Sequence, residues 1–148
     1  MLRAALLLAA WTASGPADQE HGHAASADGT VERRGQVVCV DDTGGLTECA
    51  AEGNRYALQT AAGALVWFAR GDPLAPVFDD VRVRGKQIVA RVRPRPDGTS
   101  ELIEVYSAKH GKLHDVRYFC EVCNVTSFVP GLCPCCRAEM ELVETPVE

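Results

Sequence analysis

The sequence predicts an all-β protein, and three observations carry that prediction. Between Arg34 and Ala108 the apolar residues fall into short β-branched or aromatic runs separated by Gly, Asp and Pro clusters, the punctuation of strands and turns. The one stretch with helical opportunity, Asp72 to Phe78, contains Pro76, which removes a donor and leaves room for a single turn capped by Asp72. Toward the carboxyl end two Cys-x2-Cys pairs flank a Pro130-Gly131 turn, the arrangement of short strands carrying metal knuckles.

Size and charge limit the rest. The chain has 148 residues, 47% of them hydrophobic, enough for one ordinary core with a small appendage. Charged residues make up 24%, with 15 Lys and Arg against 20 Asp and Glu, which excludes a disordered chain and a globally cationic nucleic-acid binder.

The segment Ala4 to Ala13 is uncharged and rich in Leu and Ala, follows Arg3, and is shorter than the roughly 20 residues a membrane span requires. It reads as a signal peptide over residues 1–17, cut before Asp18, so the mature chain is expected to be exported, to a periplasm or beyond the cell. No later apolar stretch reaches membrane length. Residues 18–30, rich in Ala, Ser, Gly, His and acid, read as a flexible linker in which His21 and His23 form only a partial metal site.

Strands follow in order. Gln36 to Val40 ends at the breaker cluster Asp41 to Gly45; Arg55 to Thr60 and Ala64 to Ala69 form a hairpin about Ala61-Ala62-Gly63. Val81 to Val92 reads as a long bent strand or hairpin interrupted at Gly85, and Pro94 to Gly98 breaks the chain before Leu102 to Tyr106. Five strands with the helical opportunity between the third and fourth resemble the oligonucleotide/oligosaccharide-binding (OB) fold, a five-stranded Greek-key barrel. The Arg34-Gly35-Gln36-Val37-Val38 opening and the Val81-Arg82-Val83-Arg84-Gly85 stretch add to the likeness, which spans residues 31–109.

Within the barrel, Cys39 and Cys49 are expected to form a disulfide. In an oxidising compartment a closed loop of this size contributes about 2–3 kcal/mol by the chain-entropy estimate; a second metal or redox site is the alternative. Arg82 and Arg84 alternate with Val81 and Val83, as Arg91 and Arg93 do around Val92, and strand alternation places them on one outer face. That face is either a binding surface for an anionic polymer or acidic peptide, or a solvated face that discourages edge pairing. The stretch has no aromatic residue for base stacking, which argues against nucleic acid.

Cys120, Cys123, Cys133 and Cys136 form a C-x2-C, x9, C-x2-C pattern. Two-residue spacing lets both thiolates of a pair face one ion from a tight turn, and two such turns supply the tetrahedral sulfur set that zinc prefers. Val116 to Phe119, Val125 to Val129 and Met140 to Val143 alternate as three flanking strands. These residues resemble zinc-ribbon and rubredoxin-like knuckles over residues 114–145, and the resemblance implies those four cysteines as ligands of zinc, or of iron as the alternative. Such knuckles favour glycine after the second cysteine of a pair, whereas Asn124 and Arg137 stand there. Cys135 is a possible alternative ligand to Cys136, and two disulfides within the cluster are the alternative to a metal.

Neither Cys123 nor Cys136 precedes histidine, which excludes ordinary covalent haem attachment, and the strand-to-helix setting of a thioredoxin-type pair is missing. Tyr106-Ser107-Ala108-Lys109-His110 resembles the Ala-Lys-His stretch of the periplasmic haem chaperones of cytochrome c maturation, whose histidine holds haem; read on its own, His110 is an exposed junction residue. His114, close to the ribbon, has a conceivable role behind the ligands. No Ser, His and Asp set stands in a catalytic context, and a four-cysteine site leaves no position for substrate.

The expectation is therefore a non-enzymatic binding or adaptor protein, a small barrel joined through Lys109 to Lys112 to a structural zinc ribbon, whose partner is a protein or anionic polymer of the cell envelope. Two rivals stand beside it: a rubredoxin-like iron electron carrier, and a metal or haem delivery protein using His21, His23 or His110.

Overall fold

Strand β1 (Val31–Val40) is long because it serves two long partner strands in turn. Its first half, Val31 to Gln36, pairs antiparallel with β5 (Gln87–Pro94), and its second, Gln36 to Val40, with β3 (Arg55–Gln59). The handover falls at Gly35, where a β-carbon would stand 2.1 Å from the backbone oxygen of Gln59; only glycine lets the two strands approach so closely. The computed structural model describes residues 26–49 and 53–148, and all statements here concern those residues. The expected signal peptide, His21 and His23 lie outside them.

The other strands are β2 (Leu46–Thr47), β4 (Leu65–Trp67), β6 (Ser100–Lys109), β7 (Lys112–Cys120), β8 (Val125–Ser127) and β9 (Glu141–Pro146). All-β architecture is thus present, as one antiparallel sheet of nine strands ordered β4-β3-β1-β5-β6-β7-β8, with β2 on β1 and β9 on β7. The expected hairpin forms as β3 and β4. A parallel bridge between Phe68 and Ser100, with the Ala69 N–H donating to the Ser100 carbonyl at 2.9 Å, brings the end of β4 to the start of β6 and curls the sheet. No described helix is long and apolar enough to cross a membrane.

One expectation is corrected. Residues 81 to 92 are not one strand: Val81–Arg84 form a single helical turn, α1, after a 3-10 turn at Ala75–Asp79, and β5 begins only at Gln87. Asp80 caps α1, its carboxylate accepting the Arg82 N–H at 2.9 Å. In a strand Val81 and Val83 would share a face; in the helical turn Val83 enters the core while Val81 stays 66% exposed.

The expected short connector, Lys109 to Lys112, is a hairpin turn. His110 and Gly111, with φ of 49° and 77°, are the central residues of the tight β6–β7 turn, the left-handed pair that suits a two-residue hairpin. The cysteine-bearing strands β7 to β9 are therefore part of the same sheet as the rest. β7 repeats the device of β1: one edge pairs first with β6 and then with β8, the other with β9.

The core follows from these registers. Phe78 stacks on Phe68 at 5.5 Å and meets Tyr56 edge-on at 5.8 Å, and Leu58, Ile88, Val92 and Val83 close around them. Val116, Tyr118, Cys120, Cys133 and Met140 of the ribbon belong to the same cluster. Tyr118 is fully buried, and its hydroxyl donates to the Asp80 carboxylate at 3.1 Å, tying β7 to the α1 cap. Residues 26–30, expected as tether, form a turn in which Ser26 N–H donates to the Thr30 carbonyl and Asp28 pairs with Arg91.

A charged knot fastens β9 to the rest. Glu144, whose side chain is 12% exposed, accepts from Lys86 at 2.6 Å, Lys109 at 2.5 Å and the buried Ser107 hydroxyl at 2.5 Å. Burial pushes its pKa up, but the two ammonium groups and the hydroxyl outweigh that and bring it from 4.5 to about 2. A carboxylate with a depressed folded pKa contributes stability that is complete above about pH 4.5 and is lost as pH falls through about 2. Glu144→Gln is expected to cost about 2–3 kcal/mol at pH 7 and to flatten the acid limb of stability between those values. Urea unfolding across that range measures both, and an unchanged acid limb would contradict the assignment.

Candidate metal centre

Cys120 closes β7, directly opposite Val125 at the start of β8, and residues 121–124 form the turn between them. Cys123 lies in that turn and Asn124 leaves it with φ of 54°. The second knuckle is pinned by Cys133 N–H to the Ala138 carbonyl at 2.7 Å, Arg137 N–H to the Cys133 carbonyl at 2.9 Å and Met140 N–H to the Gly131 carbonyl at 3.1 Å. Arg137 leaves it with φ of 62°. Both knuckles thus need a left-handed residue after their second cysteine, although neither has glycine there; an Asn tolerates that geometry and an Arg adopts it at some cost.

These turns bring the sulfurs of Cys120, Cys123, Cys133 and Cys136 within 4.8 Å of one another, with 3.5 Å between Cys120 and Cys136. A tetrahedron of thiolates at about 2.3 Å from a zinc ion has edges of about 3.8 Å, so the donor set fits such an ion in number, type and spacing. All four are free thiols, and the disulfide alternative is not adopted.

The field inside the knuckles is uneven. Backbone N–H groups of Cys136 and Cys135 point at the Cys133 sulfur and bring its pKa down to about 7. Cys123 is pushed up, first by the neighbouring Cys135 and Cys136 thiols and then by burial. For Cys120 the Cys123 N–H works downward, but burial and the thiols of Cys136 and Cys133 prevail and raise it. Thiols such as Cys120 and Cys123, which resist losing their protons, are what a divalent cation relieves, since it holds several thiolates together.

Cys120 and Cys133 are buried, Cys123 is half-buried and Cys136 is exposed. Cys135 is exposed and outside the four-sulfur cluster, while still close enough to act on Cys123.

Family models, curated proteins and solved structures provide no match to this chain.

The other predicted residues lie away from the cluster. Cys39 and Cys49 form the expected disulfide, with 5.1 Å between their α-carbons. The four arginines share no alternating row, since Arg82 and Arg84 belong to α1 and Arg91 and Arg93 to β5. Arg82 pairs with Asp80, Arg91 with Asp28 and Glu104, and Arg93 with Glu101, while Arg84 donates to the Phe78 carbonyl at 2.8 Å. His110 sits exposed in the hairpin turn, and the Nδ1 of His114 is buried without a partner opposite Ser107 and Pro146.

A surface feature escaped sequence reasoning. Ser127 ends β8 two residues earlier than the pattern predicts, because its hydroxyl accepts the Val129 N–H at 3.1 Å and donates to the Val129 carbonyl at 2.8 Å. Phe128 consequently turns outward and is 56% exposed. It and Leu74 line two adjoining hollows of about 550 and 470 Å³, one over the β6–β7 surface with Val77, Val105 and Val116, the other along Pro130, Leu132 and Met140 of the ribbon. A lone Phe in an apparent strand carries no signal of this; the hydroxyl cap two residues before Val129 is the only local hint.

Proposed function

We propose that the chain is an exported, non-enzymatic adaptor in which a barrel of the OB kind and a zinc ribbon together present a binding surface to a protein partner. The observation that carries the reading is the convergence of four cysteine sulfurs within 4.8 Å, which suits an ion that stiffens the ribbon. The barrel assignment is supported by β1 being shared between β3 and β5, by the parallel Phe68–Ser100 bridge and by helical turns between β4 and β5. Export is supported by the Cys39–Cys49 disulfide, which persists in oxidising compartments.

A protein partner is favoured over an anionic polymer on physical grounds. Arg82, Arg91 and Arg93 each face carboxylates, which offset their charge and leave little net positive field for a polyanion. The groove bearing Phe128 and Leu74 instead offers apolar surface with an aromatic anchor at the ribbon, next to exposed Leu132.

Metal analysis of protein purified from its own compartment tests the ion. One zinc per chain and a colourless solution are expected; a red protein with thiolate-to-iron absorption would favour electron transfer. For the surface, Phe128→Asp is expected to abolish capture of an envelope protein that the unaltered chain retains, with zinc content unchanged. Equal capture by both would count against the groove.

A further inference from the structure

We propose that the free edge of β9 is a second docking site, separate from the Phe128 groove, for an extended basic segment of a partner protein that adds to the sheet as a further strand. Among the described residues β9 pairs with β7 alone, and its six residues make it the longest strand with one whole edge unpaired. The ladder fixes which groups face outward. Val147 N–H donates to the Leu113 carbonyl at 2.9 Å, continuing the β7 register, so by the two-residue period Glu141, Val143 and Thr145 bond to β7. Leu142, Glu144 and Pro146 turn their backbone groups the other way. Pro146 lacks an N–H on that side, a position where a strand tolerates proline. Leu142 and Glu144 each present there an N–H and a carbonyl that no strand takes up.

Space and charge define the occupant. Hollows of about 530 and 360 Å³ lie between the start of β9 and α1, both lined by Arg82, Glu139 and Met140, with Val81, 66% exposed, on the α1 side. Leu142 shares its face of the sheet with its partner Tyr118, the face that reaches the α1 cap. An incoming residue opposite Leu142 lies on that face, toward Val81 and Met140, and is therefore apolar. Its neighbours in the segment fall opposite Glu141 and Val143, on the other face. Glu139 and Glu141 are exposed and make no ion pair among the described residues, whereas Arg82 is held by Asp80. The uncompensated charge along the edge is acidic, which selects lysine or arginine beside the apolar residue. A second copy fits worse, because it brings the same glutamates and a net charge of −5 against its own kind.

The experiment uses the full chain and two fluorophore-labelled, end-blocked hexapeptides, one alternating lysine and valine, the other glutamate and valine. Anisotropy reads binding and amide exchange reads the edge. The lysine peptide is expected to bind saturably and about tenfold or more tighter than the glutamate peptide. It is also expected to slow exchange at the Leu142 and Glu144 amides, which in the free chain exchange faster than those of Val143 and Thr145. The double variant Glu139→Lys/Glu141→Lys, confined to exposed residues, is expected to reverse the preference between the peptides. N-methylation of the valines of the lysine peptide is expected to abolish its binding, since it removes the donors that pair with the edge. No saturable binding, equal affinity for the two peptides, undiminished binding of the methylated peptide, or binding that leaves the Leu142 and Glu144 amides unprotected overturns the proposal. So does protection of those amides that grows with protein concentration in the absence of peptide, which makes a second copy the occupant.

Discussion

Cys133→Ser is expected to weaken metal binding by ~10³-fold, about 4 kcal/mol, and to unfold the second knuckle. Cys133 is fully buried in the shared core, and its sulfur receives the backbone N–H groups of Cys135 and Cys136, so serine breaks the ligand set and the turn at once. On the proposed zinc reading, where such an ion supplies on the order of 10 kcal/mol to small thiolate domains, the segment between Cys120 and Met140 loses its main constraint. The damage has a predicted boundary. Residues 112–116 of β7 remain paired with β6 and β9, so amide exchange should accelerate across 121–139 and stay slow in β1, β5 and β6. Chelation of the ion from the unaltered protein should reproduce the pattern. Uniform loss of protection would mean that the sheet depends on the ion as a whole, and no loss would mean that the ribbon holds itself.

The second large effect is expected far from the cysteines. Gly35→Ala places a methyl group 2.1 Å from the Gln59 oxygen and 2.7 Å from its carbonyl carbon, both backbone atoms that no rotamer change can move. Strand β1 must part from β3 or from β5, and the loss is expected to be about 3 kcal/mol or more. Urea unfolding monitored by Trp67, which sits on β4 beside β3, reports it. A cost below about 1 kcal/mol would show that the strand crossing is looser than the geometry implies. Disulfide formation should survive the change, since Cys39 and Cys49 lie beyond the handover.

How far the sequence could be read depends on the range over which each feature is determined. The Cys-x2-Cys turns are local: two residues between thiols and a left-handed successor at Asn124 and Arg137 define a knuckle whatever lies around it. The Asp41–Gly45 turn and the β3–β4 hairpin are local for the same reason, and the Cys39–Cys49 bridge closes a short loop. Residues 81–84 were misread because Val-Arg-Val-Arg satisfies a strand period and a helical turn equally; the Asp80 cap and the pull of the core on Val83 settled the choice. Of the arginine row only Arg91 and Arg93 keep the strand alternation around buried Val92, since Arg82 and Arg84 belong to the helical turn, and partners such as Asp28 for Arg91 come from distant parts of the chain.

From its residues alone, this protein was bound to be a sheet with one stapled loop and two thiol knuckles, because turns, alternation and ligand spacing are written over a few positions each. The tertiary structure decided what those pieces share. It joined the cysteine-bearing strands to the rest of the sheet through a two-residue turn at His110 and Gly111, neutralised Glu144 with Lys86 and Lys109, and brought Leu74 to Phe128 in one groove. Such pairings depend on register and on which strand a neighbour becomes, and a one-residue slip of β6 or β9 would send Lys109 or Glu144 to the opposite face.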